Sequence, residues 1–134
     1  MVLLILPSSC KKYEDGPWIS FETKTERATG NFQFELVREN GIDITEEYAN
    51  QSVRMGGDGS LYWTLGYYPN SWETYGIEGE WRFKNNKMQI EMHFTINVEE
   101  EFKYIWDIKR LADKDIKLER YEEDKKIEWR MWKY

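Results

Sequence analysis

Alternation of apolar and polar residues with a period of two constrains the fold of this chain more than any other feature. The clearest run, residues 88–96, places apolar residues at every second position and Gln, Glu, His and Thr between them. Similar runs cover residues 32–36, 61–65, 77–83, 102–108, 116–119 and 127–131. Successive side chains of a β-strand point to opposite faces, so each run predicts a strand with one buried face and one hydrated face.

Turn-forming residues separate these runs. Gly56–Gly59 and Asn85-Asn86 tolerate positive φ, and residues 112–114 and 122–124 are suited to tight connections. A further short strand near residues 52–55 brings the total to about eight, joined mostly by hairpins. Residues 44–51 form the only predicted helix, of one or two turns. Regular short strands of this kind indicate an antiparallel barrel or sandwich.

The N-terminus resembles the end of a bacterial lipoprotein signal peptide. An apolar stretch from Val2 to Leu6 leads to Ser8, Ser9 and then Cys10, the single cysteine of the chain. We therefore interpret residues 1–9 as a truncated signal peptide, residues 10–26 as a lipidated cysteine with its tether, and residues 27–134 as the folded domain. The apolar stretch is short and no basic residue precedes Cys10, so a cytosolic protein with an apolar N-terminus is the alternative.

Several short motifs resemble the lipocalin-like domains of bacterial outer-membrane lipoproteins. They are Thr29-Gly30-Asn31-Phe32, the segment 40–45, Gly57–Leu61, the segment 78–90 and the segment 104–118. Phe32 stands where the lipocalin signature has Trp. The resemblance covers roughly residues 27–134 and implies a single small up-and-down β-barrel of about eight strands with at most one short helix. It implies a fold and a location more than an activity.

Composition and charge exclude some classes of function. The net charge of −6 argues against a nucleic-acid binding stripe. His93 is the only histidine, on the polar face of its strand, and no group of residues has the spacing of a metal or nucleophilic site. We therefore expect no enzyme activity, cofactor or metal. The acidic runs 46–47, 99–101 and 122–124 are interpreted as hydrated turns, with a weak Ca²⁺ site or paired carboxylates as the alternative.

An integral membrane barrel would also show alternating strands. Its last strand usually ends on an aromatic residue in register with apolar outward residues. Here Tyr134 shares its face with Trp132, Arg130 and Glu128, which is the wrong register. We therefore expect the apolar face to point into the barrel.

Aromatic residues provide the candidate binding groups. Trp63, Trp81 and Trp106 fall on the apolar face, where they serve core packing or line a small pocket at one barrel end. Residues 67–75 differ, because they lie between strands and still contain Tyr67, Tyr68, Trp72 and Tyr75. This loop is either a plug over the barrel end or a recognition surface, since exposed Tyr and Trp supply rigid contact area.

These observations predict a monomeric binding module in the cell envelope. Lipid on Cys10 would anchor it to the outer membrane, facing the periplasm or the cell surface. The expected partner is a small apolar or amphipathic ligand. The alternative is a protein-interaction module, an inhibitor or an envelope-assembly factor, that uses the aromatic loop.

Overall fold

The computed structural model describes residues 13–16 and 22–134 and shows an all-β fold. The predicted signal peptide and Cys10 lie outside the described residues. The elements are a short α-helix, nine strands and one 3₁₀ helix: α1 Lys24–Ala28, β1 Gly30–Glu39, β2 Ile42–Asp43, 3₁₀ Thr45–Tyr48, β3 Ser52–Met55, β4 Ser60–Tyr67, β5 Thr74–Lys84, β6 Gln89–Thr95, β7 Glu101–Leu111, β8 Asp115–Glu122 and β9 Lys125–Lys133.

Eight of the strands close into an antiparallel barrel. The order is β1-β3-β4-β5-β6-β7-β8-β9, and β9 pairs back onto β1, so the sheet has no free edge there. The two-residue strand β2 pairs only with the end of β1. The predicted up-and-down barrel of about eight strands is confirmed. No helix among the described residues is long and apolar enough to cross a membrane.

The two ends of the barrel are built differently. In an up-and-down barrel successive connections alternate between the ends. Residues 56–59, 85–88 and 112–114 therefore lie at one end, which we call the capped end. Residues 40–51, 68–73, 96–100 and 123–124 lie at the other, which we call the loop end.

The N-terminal segment closes the capped end. The Tyr13 hydroxyl donates to the carbonyl of Lys87 at 2.7 Å, and Tyr13 is 1% exposed. The Arg27 guanidinium of α1 donates to the carbonyl of Leu111 at 2.7 Å in a buried position. The predicted tether covers residues 10–26, of which the structure describes 13–16 and 22–26. These described residues pack on the barrel, where the N–H of Asp15 donates to the carbonyl of Lys109 at 2.9 Å and the ammonium of Lys133 donates to the carbonyl of Glu26 at 3.1 Å.

Bulges adjust the predicted faces of the strands. Phe32, Ile90, Met92 and Trp106 are buried as predicted. The register of β1 shifts between Phe34 and Leu36, so Val37 occupies the interior instead of Leu36. A shift in β4 similarly buries Gly66 after Leu65. Ile96 and Phe102, expected in the core, lie at the loop end and are 46% and 41% exposed.

Turns and helices mostly follow the expected chemistry. Asn85 and Asn86 adopt positive φ of 54° and 55° between β5 and β6. The predicted helix over residues 44–51 is a shorter 3₁₀ helix, Thr45–Tyr48. Helix α1 was not predicted. Its start is marked by a capping box, in which Thr23 and Glu26 each accept a hydrogen bond from the other's backbone N–H.

Candidate functional site

Aromatic rings fill the middle of the barrel. Trp129 lies at their centre, with ring centroids 4.3 Å from Trp106, 4.8 Å from Phe34 and 5.2 Å from Trp63. The 3₁₀ helix adds Tyr48, whose ring lies 5.0 Å from Phe34. Such close, mostly edge-to-face packing stabilises the core and occupies the space that a ligand would need.

The three tryptophans predicted as pocket residues do not converge on one site. Trp81 lies toward the capped end, where its indole N–H donates to the carbonyl of Gly56 at 2.8 Å. Trp63 and Trp106 belong to the interior ring cluster. The indole of Trp63 donates to Gln51 at 2.9 Å, whereas that of Trp106 has no protein partner among the described residues. Core packing is therefore the evident role of all three.

The barrel interior contains an arginine that the alternation pattern did not predict. Arg120 follows Ile116 and Leu118 on the inward face of β8, and its side chain is 11% exposed. Its guanidinium carbon lies 4.0 Å from the centroid of the Tyr104 ring and 5.1 Å from that of Trp106, and it forms an ion pair with Glu122. The barrel thus holds a cation between aromatic faces and a carboxylate near the loop end.

Residues 67–75, predicted to lie between strands, form the β4–β5 hairpin, in which Tyr67 ends β4 and Tyr75 belongs to β5. The hairpin does not bury Trp72, as a plug would. Trp72 is 94% exposed, while Tyr67, Tyr68 and Tyr75 are 48%, 51% and 41% exposed. The loop is ordered by its own contacts. The N–H of Tyr68 donates to the carbonyl of Glu73 at 2.9 Å, and the rings of Tyr68 and Tyr75 lie 5.3 Å apart. Trp72 is therefore presented to solvent on a structured hairpin.

Exposed apolar side chains concentrate at the loop end. Among the described residues, nine of the twelve large apolar side chains that are exposed lie in or beside its connections. They are Ile42, Tyr67, Tyr68, Trp72, Tyr75, Ile96, Val98, Phe102 and Tyr121. Exposed apolar side chains that concentrate in one region of a protein surface commonly mark an interaction site. We call the surface formed at the loop end by these nine side chains and the four connections the aromatic rim.

The same end is acidic. Its four connections contain eight carboxylates and no Lys or Arg, and all eight residues are exposed: Asp43, Glu46, Glu47, Glu73, Glu99, Glu100, Glu123 and Asp124. Hydrogen bonds from Thr45 hold the pKa of Asp43 below its usual range, so Asp43 is charged at neutral pH. The acidic runs thus lie at one end, and no group of three or more His, Cys, Asp or Glu in the described part of the chain could hold a metal.

The outer wall holds a separate polar groove. It has a volume of about 760 Å³, and its lining includes Glu80, Arg82, Glu91, His93, Glu101 and Lys103. His93 lies 3.0 Å from Glu101. Glu91, expected to face water, is buried there, because basic side chains cover it. Arg82 and Lys103 both pair with Glu91, so the charge of Glu91 is compensated within the groove.

The four aromatic residues of segment 67–75 therefore lie at the same barrel end as apolar side chains that the sequence pattern had not grouped with them. Ile96, Val98 and Phe102 come from the neighbouring connection between β6 and β7, and Ile42 comes from β2. The strand pattern could have revealed this, because in an up-and-down barrel alternate connections share one end.

Comparisons with known proteins support the fold alone. No protein-family model matches the chain, and no curated protein matches its sequence. The crystal structure of an uncharacterized protein from Bacteroides eggerthii DSM 20697 is similar, with a TM-score of 0.59 and 13% sequence identity. The match covers 79% of this chain and 98% of that chain. At this level of identity the likeness is one of architecture.

Proposed function

We propose that this protein is a lipid-anchored interaction module that binds a protein partner through the aromatic rim. The observation that carries the proposal is the 94% exposure of Trp72 on an ordered hairpin. A fully exposed Trp gains apolar contact only when a partner covers it, and Trp is among the residues that dominate binding energy at protein interfaces.

The packed interior favours this function over storage of a small apolar ligand. A barrel of eight strands has room either for its own side chains or for one small ligand. Here the rings of Trp106 and Trp129 lie 4.3 Å apart, and the rings of Trp63 and Phe94 lie 5.6 Å apart. The apolar contacts that such a ligand would seek are already made by the protein.

The proposed anchor would set the orientation of the module. Cys10 is three residues before Tyr13, which is fixed at the capped end. Three residues span at most roughly 11 Å, so lipid on Cys10 would hold the capped end close to the membrane. The aromatic rim would then point away from that membrane. This arrangement agrees with the resemblance to lipocalin-like lipoproteins and with a location in the cell envelope.

Paired tryptophan substitutions test the proposal. Trp132 is also exposed, at 41%, but it lies on β9 near the capped end. Trp72→Ala is expected to abolish co-purification of the cellular partner while leaving the melting temperature unchanged, and Trp132→Ala is expected to retain the partner. Partner capture that survives Trp72→Ala, or that is lost equally with Trp132→Ala, would place the interface elsewhere.

A further inference from the structure

We infer that the partner segment recognised by the aromatic rim is positively charged, a stretch of polypeptide rich in Lys or Arg. This inference rests on the proposed function and specifies the chemistry of the partner. It follows from two properties of one surface, its exposed aromatic side chains and the sign of its charge.

Charge complementarity selects a cationic partner. The connections of the aromatic rim carry eight exposed carboxylates and no basic residue, whereas the three hairpin connections of the capped end carry two acidic and two basic residues. The whole chain has a net charge of −6. The strand ends beside these connections add Glu39, Glu101 and Glu122 together with Arg38, Lys125 and Lys126, so the net charge of the rim stays negative. A surface of net negative charge attracts cationic partners and repels anionic ones, so the rim disfavours anionic ligands and anionic lipid headgroups.

Aromatic side chains add a specific preference for cations. The face of Trp attracts an ammonium or guanidinium group more strongly than the other aromatic rings do. The protein already binds a cation in this way within itself, where Arg120 lies 4.0 Å from the centroid of Tyr104 and pairs with Glu122. Trp72 and Glu73 are both exposed and are neighbours in the chain, so an aromatic ring and a carboxylate are available to a cation on the outside.

The hairpin that carries Trp72 needs little ordering when it binds. The backbone of Ser71 donates to the carbonyl of Tyr68 at 3.2 Å, and the backbone of Glu73 donates to the hydroxyl of Ser71 at 2.9 Å. A preformed loop loses less conformational entropy on association than a disordered one. The hairpin therefore adds little entropic cost when the partner binds.

Synthetic peptides test the inference directly. Three fluorescently labelled peptides of equal length, repeats of Lys-Leu-Gly, Glu-Leu-Gly and Ser-Leu-Gly, are titrated with the protein and followed by fluorescence anisotropy. The Lys peptide should bind more tightly than the other two at low ionic strength. Its advantage should shrink near 1 M salt, where the Debye length is about 3 Å.

Variants locate the binding site on the rim. Trp72→Ala should weaken binding of the Lys peptide by at least about 30-fold, the effect of losing a dominant interface residue. Glu73→Gln combined with Glu99→Gln should weaken it by roughly two- to tenfold, as expected for exposed charges. Glu78→Gln combined with Glu80→Gln removes the same charge from the outer wall and should have no effect.

The contrary outcomes distinguish failure of the cationic partner from failure of the interaction module. Equal affinity for the three peptides, with partner capture still lost in Trp72→Ala, would overturn the cationic partner and leave the interaction module standing. Absence of peptide binding would overturn the cationic partner as well. If the rim and wall variants lost the same affinity for the Lys peptide, the net charge of the protein alone would explain the binding, and docking at the rim would be contradicted. If the protein bound neutral phosphatidylcholine vesicles through Trp72 and showed no preference among the peptides, both the cationic partner and the protein-interaction module would be contradicted.

Discussion

Glu91 shows how a barrel wall can bury a charge on its outer face. Its side chain is 7% exposed, and its carboxylate lies 2.7 Å from Arg82, 3.4 Å from Lys84 and 3.9 Å from Lys103. We expect Glu91→Ala to lower the free energy of unfolding by about 1–2 kcal/mol, because a charge-assisted hydrogen bond is lost. Glu80→Ala, on the exposed wall, should stay within about 0.5 kcal/mol. Urea unfolding of both variants measures the difference.

The pKa of Glu91 makes this contribution depend on pH. The hydrogen bond from Arg82 is the main cause that lowers the pKa of Glu91 below its usual range. A lowered pKa in the folded state contributes stability that is complete above the unfolded value, about 4.3, and is lost as the pH falls through the folded value. The stability difference between wild type and Glu91→Gln should therefore be constant near neutral pH and shrink in acid. A difference that grows on acidification would contradict the assignment.

Ile90, the neighbour of Glu91 on the opposite face, tests the assignment of the core. It is completely buried among the interior residues of β6. Ile90→Ala should cost about 2–5 kcal/mol in chemical denaturation, from lost burial and the cavity that remains. A loss no larger than that of Glu80→Ala would mean that the inward face of β6 is wrongly identified.

At the scale of elements, the N-terminal segment is part of the folded barrel. Tyr13 and Tyr68 offer a matched comparison, since Tyr13 is 1% exposed at the capped end and Tyr68 is 51% exposed at the loop end. Tyr13→Ala should lower the free energy of unfolding by about 3–5 kcal/mol, as for a buried aromatic residue. Tyr68→Ala should change it by about 0.5 kcal/mol or less. Equal free energies of unfolding for the two variants would mean that residues 13–16 do not contribute to the folded barrel.

Burial also affects the titration of Tyr13. Desolvation raises its pKa to about 12, an effect that the positive charge of Arg27 opposes. Because the unfolded phenol ionises near pH 10, its ionisation favours the unfolded state above that pH. Burial also raises the pKa of Tyr48, so ultraviolet titration of the wild type should show more than one late-ionising tyrosine. Tyr13→Phe should remove one of them.

Period-two patterning predicted the strands and most of the core, because burial on one face leaves a direct trace in sequence. It could not locate the β-bulges, because one extra residue in a strand moves each following side chain to the opposite face of the sheet. Val37 therefore replaced Leu36 in the interior. Arg120 was missed although it shares the inward parity of Leu118, because a charged residue interrupts the apolar pattern. The site was only partly predicted, since the aromatic rim combines connections that are distant in sequence.

At the scale of the whole molecule, the proposed anchor predicts a change of location. Cys10→Ala should move the protein from the membrane fraction to the soluble periplasmic extract of cells that express the full precursor, since acyl chains hold a lipoprotein on the membrane. Unmodified Cys10 in the mature wild-type protein, detected by mass spectrometry, would contradict the lipid anchor. The barrel itself should unfold identically in both forms.

Site-specific photo-crosslinking in cells tests the central claim most directly. A benzophenone amino acid replaces Trp72 at the aromatic rim or, as the control, Trp132 near the capped end, both of which are exposed. We predict a discrete protein adduct from position 72 and none of the same mass from position 132. An adduct from position 132 alone, equal adducts from both, or only lipid adducts from position 72 would contradict the assignment of the aromatic rim as a protein-binding surface.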